Sequence, residues 1–304
     1  MSSDVLSQRL SELRGSLFLS PLGTVSRMRI DWIDETNSTM EPATQWLRNG
    51  GVTPYWIAAR RQTAGRGQHG RRWWSGDGAL FATAAIRFAD YGISPTPEIV
   101  GRIPLLVGVI ALEVVQPWLP GTVVDTDVEN TPHLRGGPPY RLGLKWPNDL
   151  CYRGRKLAGI LIESPKPGEL VIGIGINVNN SVRLAPPEIQ ERIAAICDFS
   201  DIVVPLESLL DLLAHNMDTA MHRFAADPGS VIRRARPHCL LTGQQVRIGR
   251  PTAAENSLTE IADVDLLCAG ICHGMDDDGR LIVESTDGAT HQFSSATVRI
   301  LAEA

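Results

Sequence analysis

A segment rich in glycine and arginine, residues 60–75, has the composition of an anion-binding loop: RRQTAGRGQHGRRWWS. Three glycines within six residues permit tight turns and leave backbone N–H groups open to an anion. Arg66 and Arg71 add guanidinium groups, whose shape suits carboxylate and phosphate. Trp73 and Trp74 offer a face for a planar base. The segment predicts capture of a nucleotide phosphate beside an acidic substrate, or else a basic surface turn followed by two core tryptophans.

A second segment that could stabilise negative charge is Lys145-Trp146-Pro147-Asn148-Asp149. Lys145 follows an apolar run typical of a strand, and a partly buried ammonium group needs an anionic partner. Opposite charges roughly 4 Å apart attract by about 4 kcal/mol at an effective dielectric constant near 20. The lysine therefore suits a phosphoryl or carboxylate oxygen, with a structural ion pair to Asp149 as the alternative.

Other phosphate-binding patterns and zinc-binding patterns are absent from the sequence. No G-x-x-x-x-G-K-[ST] occurs, and no G-x-G-x-x-G follows a predicted strand with an acidic partner. The run Gly173–Asn177 (GIGIN) is too apolar to hold phosphates and indicates a strand packed closely beside a ligand. The five cysteines are scattered, which is typical of buried thiols in a reducing compartment. The sequence therefore identifies no metal ligands.

The length and composition indicate a globular protein of about two domains. The chain has 304 residues, of which 43% are hydrophobic and 21% charged. Its net charge of −5 disfavours general nucleic-acid binding. No apolar run reaches the length of a membrane span, and the first residues lack the pattern of a signal peptide. We therefore expect a cytoplasmic protein with no nucleic-acid or membrane partner.

Strands and helices must position the two charged segments. Alternating or apolar runs predict strands over 28–33, 56–59, 79–88, 142–146, 158–163 and 170–175. Helical spacing predicts helices over 39–49, 103–119 and 206–224, and a short surface helix within residues 1–24. Short alternating segments from residue 243 onward, separated by Asp-Gly turns, predict a small β-barrel.

In their order along the chain, these motifs resemble those of biotin protein ligases (biotin–[acetyl-CoA-carboxylase] ligases). The resemblance rests on the Gly/Arg loop, the Lys145–Asp149 segment, Lys156-x-x-Gly-Ile-Leu and the GIGINVN run, with Glu35–Met40 similar to an early Ser-Thr motif. It implies an α+β protein with a mixed-sheet, class II synthetase-like catalytic domain over 25–238. An SH3-like β-barrel follows over 239–304, and residues 1–24 form an N-terminal extension.

The resemblance implies a two-step reaction that attaches biotin to protein. Biotin and ATP first give biotinoyl-5'-AMP, and a lysine of a biotin carboxyl carrier domain then accepts the biotinoyl group. Mg²⁺ is implied as the counter-ion of the phosphates. A homodimer is also consistent with the family, whereas the short N-terminal extension predicts no DNA-binding repressor domain.

The resemblance also assigns roles to individual residues. Lys145 and Arg66 are the predicted catalytic residues, with Lys145 bridging the biotin carboxylate and the α-phosphate, and Trp73 is the predicted stacking partner of adenine. The predicted biotin-binding residues are Ser38, Thr39, Gln62, Gly65, Arg66, Gly67, Gln68, Lys145, Gly159 and Ile160. The predicted nucleotide-binding residues are Arg66, Arg71, Trp73, Lys145, Asn148, Lys156 and Asn177, with a solvated role for Lys156 and a structural role for Asn177 as the alternatives.

Two features depart from the family pattern. Gln68 stands where most family loops carry a second arginine, and residues 121–139 form a longer loop than the family usually has. Because glutamine is neutral, we expect weaker retention of the adenylate unless Arg71 or Arg61 compensates. This motivates the alternative of an impaired homologue that binds biotin or its adenylate without efficient transfer. A lipoate or octanoate ligase of the related fold is the other alternative.

Overall fold

Two β-sheets form the framework of the described residues, which are 28–120, 142–250 and 265–301 of this computed structural model. The first sheet has seven strands among these residues, in the order β1-β2-β3-β7-β6-β5-β4. Only its β1–β2 pair is parallel. The strands are β1 (Arg29–Thr36), β2 (Tyr55–Gln62), β3 (Leu80–Arg87), β4 (Leu142–Lys145), β5 (Asp149–Tyr152), β6 (Arg155–Glu163) and β7 (Glu169–Ile176).

Helices cover both faces of this sheet. Helix α1 packs on one face over β3 and β7, and α2 packs on the opposite face over β4, β5 and β6. Helix α4 lies against α2, and the regularly spaced leucines noted in its sequence face the larger core. The helices are α1 (Met40–Arg48), α2 (Pro97–Val115), α3 (Pro187–Gln190), α4 (Leu206–Ala226) and α5 (Ser230–Ala235).

Helix α2 begins earlier than the sequence analysis predicts. Its N-cap is Thr96, whose hydroxyl accepts a hydrogen bond from the backbone N–H of Ile99 at 3.3 Å, and Pro97 occupies the first turn. Pro104 therefore lies inside the helix and not at its start. The apolar spacing was informative about the buried face, but the start depends on capping upstream of the apolar run.

The second sheet is antiparallel and lies at the C-terminal end of the described chain. Its strand order is β11-β10-β9-β8-β12. This arrangement is consistent with the SH3-like barrel, and the α+β prediction is confirmed. The strands are β8 (Gln245–Gly249), β9 (Leu266–Met275), β10 (Leu281–Ser285), β11 (Thr290–Phe293) and β12 (Thr297–Ile300).

Several sequence predictions fall outside the described residues. They are the N-terminal helix within 1–24 and the loop 121–139. Within the described residues, no helix is long and apolar enough to cross a membrane. The strand β5 was not predicted, because it is four residues long and follows Pro147 directly after its partner β4.

Candidate functional site

A cavity lies on the face of the first sheet that α1 covers. Its walls come from the start of α1, the Gly/Arg loop, and strands β3, β6 and β7. Pairing registers place Phe81, Gly175 and Gly159 on this face, since residues opposite one another in antiparallel strands share a face of the sheet. This row of paired residues continues across the sheet, from Gly159 to Asp149 on β5 and then to Lys145 on β4. Sheet register therefore aligns the Lys145–Asp149 segment with the cavity.

Glycines form the floor of the cavity. Gly159 and Gly175 are opposite one another on β6 and β7, and a methyl group at either position would come within 2.8 Å of the Trp73 indole. A methyl group at Gly173 would lie 2.6 Å from the sulfur of Met40. Because glycine has no side chain, the indole and the thioether can lie directly on the strands. The floor therefore accepts flat or extended groups at close range.

A buried polar network closes one end of the cavity. The Gln62 Oε1 accepts hydrogen bonds from the Thr39 backbone N–H at 2.9 Å and from the Thr39 hydroxyl at 3.2 Å. Thr83 donates its hydroxyl to Thr39 Oγ1 at 2.7 Å. Ser38 lies beside them, 3% exposed. Since the Gln62 carbonyl is engaged, its amide N–H groups are the part available to a polar ligand.

The Gly/Arg loop folds back on itself as a narrow hairpin. Gly67 donates its backbone N–H to Arg71 O at 2.7 Å, and Trp73 donates to Gly65 O at 2.9 Å. His69, at the exposed tip, has a positive φ of 57°. A methyl group at Gly65 would lie 2.6 Å from Ser75 Oγ, so this position has no room for a side chain. The pairing holds Trp73 over the glycine floor.

Arg66 sits where this cavity opens to the surface. Its Nη2 lies 3.2 Å from Glu163 Oε2 at the end of β6. Glu163 follows Gly159 by four residues, which is about 13 Å along a strand. Lys145 lies two strands to the other side of Gly159, at roughly 10 Å. Arg66 therefore lies along the strand direction from Gly159, and Lys145 lies across the sheet from it on the same face.

Charged and amide groups gather at the end of the cavity nearest Lys145. Lys156 Nζ lies 2.6 Å from Asp149 Oδ1 and 5.4 Å from the centre of the Trp73 ring. Asn148 donates its side-chain amide to Ile160 O at 2.8 Å. The ion pair that Asp149 forms is therefore with Lys156, whereas the sequence analysis considered Lys145 as its partner. An anionic ligand at this end would meet two ammonium groups.

The cavity is nearly filled by the protein itself. Its free volume is about 60 Å³, which is room for about two water molecules. Pockets for ordinary ligands measure about 300–1,000 Å³. The buried indole N–H of Trp73 has no hydrogen-bond partner among the described residues, which costs about 1–3 kcal/mol. Trp73 therefore occupies part of the floor that a ligand of ordinary size would need.

Comparison with known proteins identifies the domain that carries this cavity. A model of the biotin/lipoate A/B protein ligase family matches residues 32–179. The chain contains a biotin/lipoate A/B protein ligase family domain. It is 26% identical to the biotin–[acetyl-CoA-carboxylase] ligase of Mycobacterium tuberculosis, over 84% of this chain and 83% of that protein. It is 28% identical to the ligase of the same name from Paracoccus denitrificans, over 77% and 85%.

Solved structures share the fold of both parts of the chain. The biotin protein ligase from Aquifex aeolicus, in complex with biotin and ATP, superposes with a TM-score of 0.67 at 22% identity, covering 90% of this chain and 99% of that one. The ligase from Leishmania major in complex with biotinyl-5-AMP gives 0.55 at 23% identity, covering 88% and 99%. The ligase-family domain is therefore followed by the same kind of C-terminal sheet.

Most of the predicted site residues of the ligase-family domain line the cavity. Four predicted site residues do not line it, although one of them, Lys145, lies on the same face of the sheet as the cavity. Asn177 accepts a hydrogen bond from Asn180 at 3.0 Å in the loop after β7, and its nucleotide-binding role stays a prediction. The predicted residues in the lining are Ser38, Thr39, Gln62, Arg66, Gly67, Gln68, Trp73, Asn148, Lys156, Gly159 and Ile160; those outside it are Gly65, Arg71, Lys145 and Asn177.

Several lining residues were missed by the sequence analysis. Met40, Phe81, Leu161, Gly173, Ile174 and Gly175 also line the cavity, although the Ile174 side chain lies in the core of the opposite face. The two glycines alternate within a run already recognised as a strand beside a ligand, so period-two spacing could have placed both on the site's face. The sequence contains no comparable signal for Phe81, because its position depends on pairing with a strand 94 residues away.

The cysteines lie apart from the chemistry of the ligase-family domain. Burial raises the pKa of the Cys151 and Cys272 thiols to about 12, so they are protonated at neutral pH. No group of three or more His, Cys, Asp or Glu in the described ranges could hold a metal ion. Magnesium is bound in nucleotide sites by one or two carboxylates together with the phosphates.

The C-terminal sheet contacts both charged segments at the site. Arg71, in the Gly/Arg loop, donates to Thr297 Oγ1 of β12 at 3.2 Å. Trp146, next to Lys145, donates its indole N–H to Gly279 O in the β9–β10 turn at 3.0 Å. Arg102 of α2 holds the same turn through Asp278 at 3.0 Å. The second sheet therefore supports the loops at both ends of the cleft.

Thr297→Val should loosen the Gly/Arg loop without unfolding the protein. The change keeps the side-chain volume but removes one acceptor from the partly buried Arg71 guanidinium. We expect the half-saturating ATP concentration to rise about three- to tenfold, the effect of a weakened charged hydrogen bond. Limited tryptic cleavage at the loop arginines should accelerate as well. Thr290→Val, on exposed β11, is the control; equal behaviour of the two variants would contradict this role for Thr297.

Proposed function

We propose that this protein uses ATP to join biotin to a lysine of a biotin carboxyl carrier domain, through a biotinoyl-5'-AMP intermediate. The observation that carries the proposal is the cavity with a glycine floor in a ligase-family domain. It has a polar network at one end and two ammonium-bearing residues near the other. One end suits a neutral polar ring, the floor suits an extended chain, and the other end suits phosphate.

Each part of the cleft has a distinct role in this proposal. Ser38, Thr39 and Gln62 hydrogen-bond the polar ring of biotin, and the glycine floor takes its aliphatic chain together with the backbone of Ile160, whose side chain lies in the core of the opposite face. Trp73 leaves the floor and stacks on adenine once ligands enter. The proposed nucleotide side comprises Arg66, Arg71, Lys145, Asn148, Lys156 and Asn177, and the proposed covering loop comprises Gly65, Arg66, Gly67 and Gln68.

Charge neutralisation is the main chemical demand of the first step. The biotin carboxylate must approach the α-phosphate of ATP although both are anionic. Lys145 lies on the cavity's face of the sheet and bridges the two groups. Mg²⁺ bound to ATP would supply further neutralisation of the phosphate charge. The Gly/Arg loop then excludes water from the reactive acyl-adenylate. The protein thus supplies positioning, electrostatics and protection from water.

A carrier-labelling assay tests the proposal directly. The full chain is incubated with ATP, Mg²⁺, labelled biotin and an isolated biotin carboxyl carrier domain, and the label is mapped by mass spectrometry. We expect one labelled lysine on the carrier and no label without ATP. Adenylate formation without carrier labelling would instead support the impaired homologue, and preferential use of lipoate or octanoate would contradict the proposed substrate.

Gln68→Arg should strengthen retention of the adenylate. Gln68 lines the cavity but cannot form the charged hydrogen bond that an arginine would make to phosphate. Such a bond contributes roughly 1.5–3 kcal/mol, so release of biotinoyl-AMP should slow about ten- to a hundredfold. Filter binding of labelled adenylate measures the release. His69→Arg adds the same group at the exposed loop tip as a control; equal release from wild type and Gln68→Arg would refute the prediction.

The assignments beyond the reaction stay predictions. The carrier domain and the homodimer derive from resemblance to the family, and the cytoplasmic location derives from the lack of an apolar span and of a signal-peptide pattern in the sequence. The relatives from Mycobacterium tuberculosis and Paracoccus denitrificans are biotin–[acetyl-CoA-carboxylase] ligases, which supports a carboxylase carrier as the acceptor. Sedimentation of the full chain with and without ligands tests the homodimer.

A further inference from the structure

A surface groove continues from the cavity across the exposed side of α1. It encloses about 570 Å³. One wall is the helix surface that carries Glu41, Gln45 and Arg48, and the other is the end of β6 with Glu163. Arg66 lines both the cavity and the groove. The groove is therefore an open route from the surface to the cleft, with one guanidinium at the junction.

The charges in this groove balance only while Arg66 remains there. Two carboxylates, Glu41 and Glu163, face two guanidinium groups, Arg48 and Arg66, so the formal sum is zero. Arg66 is held by Glu163 at 3.2 Å, with side chains 38% and 41% exposed. Exposed ion pairs of this kind contribute little energy and exchange easily. If Arg66 leaves, the sum of the lining becomes −1 and Glu163 loses its partner.

An adenylate in the cavity competes for the same guanidinium group. Phosphate forms bidentate, charge-assisted hydrogen bonds with arginine that are stronger than an exposed pair with a carboxylate. Because Arg66 already lines the cavity, it can exchange partners by a side-chain movement. Formation of the acyl-adenylate would then expose a carboxylate on the route by which the second substrate arrives.

We propose that this groove receives the acceptor lysine of the carrier, and that Glu163 binds its ammonium group after Arg66 has moved to the adenylate phosphate. The proposal rests on the proposed function and adds the order of events. An acceptor lysine carries a positive charge at neutral pH, so it matches the groove only once the groove is negative. The carrier thus docks preferentially on enzyme that already holds the adenylate.

The transfer step then balances as follows. A bond forms between the lysine nitrogen and the acyl carbon, and the bond from the acyl carbon to the phosphate oxygen breaks with its electron pair going to AMP. The ammonium group loses two protons in becoming the amide, and they pass by way of the Glu163 carboxylate and the open groove to water. Glu163 touches the substrate in this step but forms no bond with it.

The test separates the two half-reactions in Glu163→Gln. Adenylate formation is measured by pyrophosphate exchange, and transfer is measured in single turnover on enzyme preloaded with biotinoyl-AMP while the carrier concentration is varied. We expect adenylate formation within about twofold of wild type and a half-saturating carrier concentration raised about tenfold. Transfer to hydroxylamine, an uncharged amine at neutral pH, should be unchanged.

Glu207→Gln is the matched control, because Glu207 forms an exposed pair with Arg60 at 3.4 Å and does not line the groove. Glu163→Asp should restore part of the carrier affinity. Equal transfer by Glu163→Gln and Glu207→Gln would overturn the inference, as would equal losses in pyrophosphate exchange and transfer, which would indicate only a structural role beside Arg66. A wild-type protein that forms no adenylate would instead refute the proposed function itself.

Discussion

Lys145→Ala should lower the rate of biotinoyl-AMP formation by about 10²–10³-fold, the loss typical of removing one preorganised group that stabilises charge in a transition state. Lys145 lies at the end of β4, where register places it in one row with Asp149, Gly159 and Gly175. Its ammonium group therefore faces the side of the sheet where the carboxylate and the α-phosphate meet in our proposal. Pyrophosphate exchange measures this step without the carrier.

The chain offers a clear control for this variant. It contains three lysines in all, and Lys166 lies in the turn between β6 and β7, away from the cavity. Lys166→Ala should leave exchange unchanged, and biotin binding by Lys145→Ala should be weakened less than turnover, since the contact strengthens only as charge develops. Exchange within a few-fold of wild type in Lys145→Ala would contradict a bridging role and would favour Lys156.

The sequence motifs identified most of the site because each is a local signal. A Gly/Arg loop exposes backbone and guanidinium groups wherever it lies, and Pro147 ends the strand that presents Lys145. Most strands of the first sheet, the α1 and α4 helices and the C-terminal strands also follow from apolar spacing within each segment, whereas the mixed sheet was implied only by the family resemblance. Residues whose chemistry and position are both set locally were therefore accessible without a structure.

The remaining features depend on contacts between distant segments. Arg66 pairs with Glu163 across 97 positions, and Arg71 reaches Thr297 across 226, so neither partner is visible in a local pattern. Lys156 takes Asp149 as its partner because a bulge in the β5–β6 pairing brings them together. Trp73 can lie on the glycine floor only because Gly159 and Gly175, which belong to two other strands, have no side chains. The pairing of segments in the folded protein, and not the local composition, determines which charged side chains form ion pairs.

Gly175→Val should weaken biotin binding while the protein stays folded. The backbone at Gly175 is ordinary strand, and valine favours strands. Even a methyl group there would lie 2.8 Å from the Trp73 indole, so the branched side chain fills the floor that the ligand needs. Overpacking a close-fitting site costs about 1–3 kcal/mol, so we expect the Kd for biotin to rise by up to about a hundredfold. Isothermal titration calorimetry measures it.

Ile174→Val is the matched control, since Ile174 lies on the same strand with its side chain in the core of the opposite face. The control should lose about 0.5–1.5 kcal/mol of stability and bind biotin normally. In Gly175→Val the displaced indole and the overpacking should lower the stability of the folded protein by about 1–3 kcal/mol. Thermal unfolding without ligand should remain cooperative. Tight biotin binding by a folded Gly175→Val would place the ligand away from the glycine floor. It would remove the geometric basis for assigning Trp73 and Lys145 to one cleft.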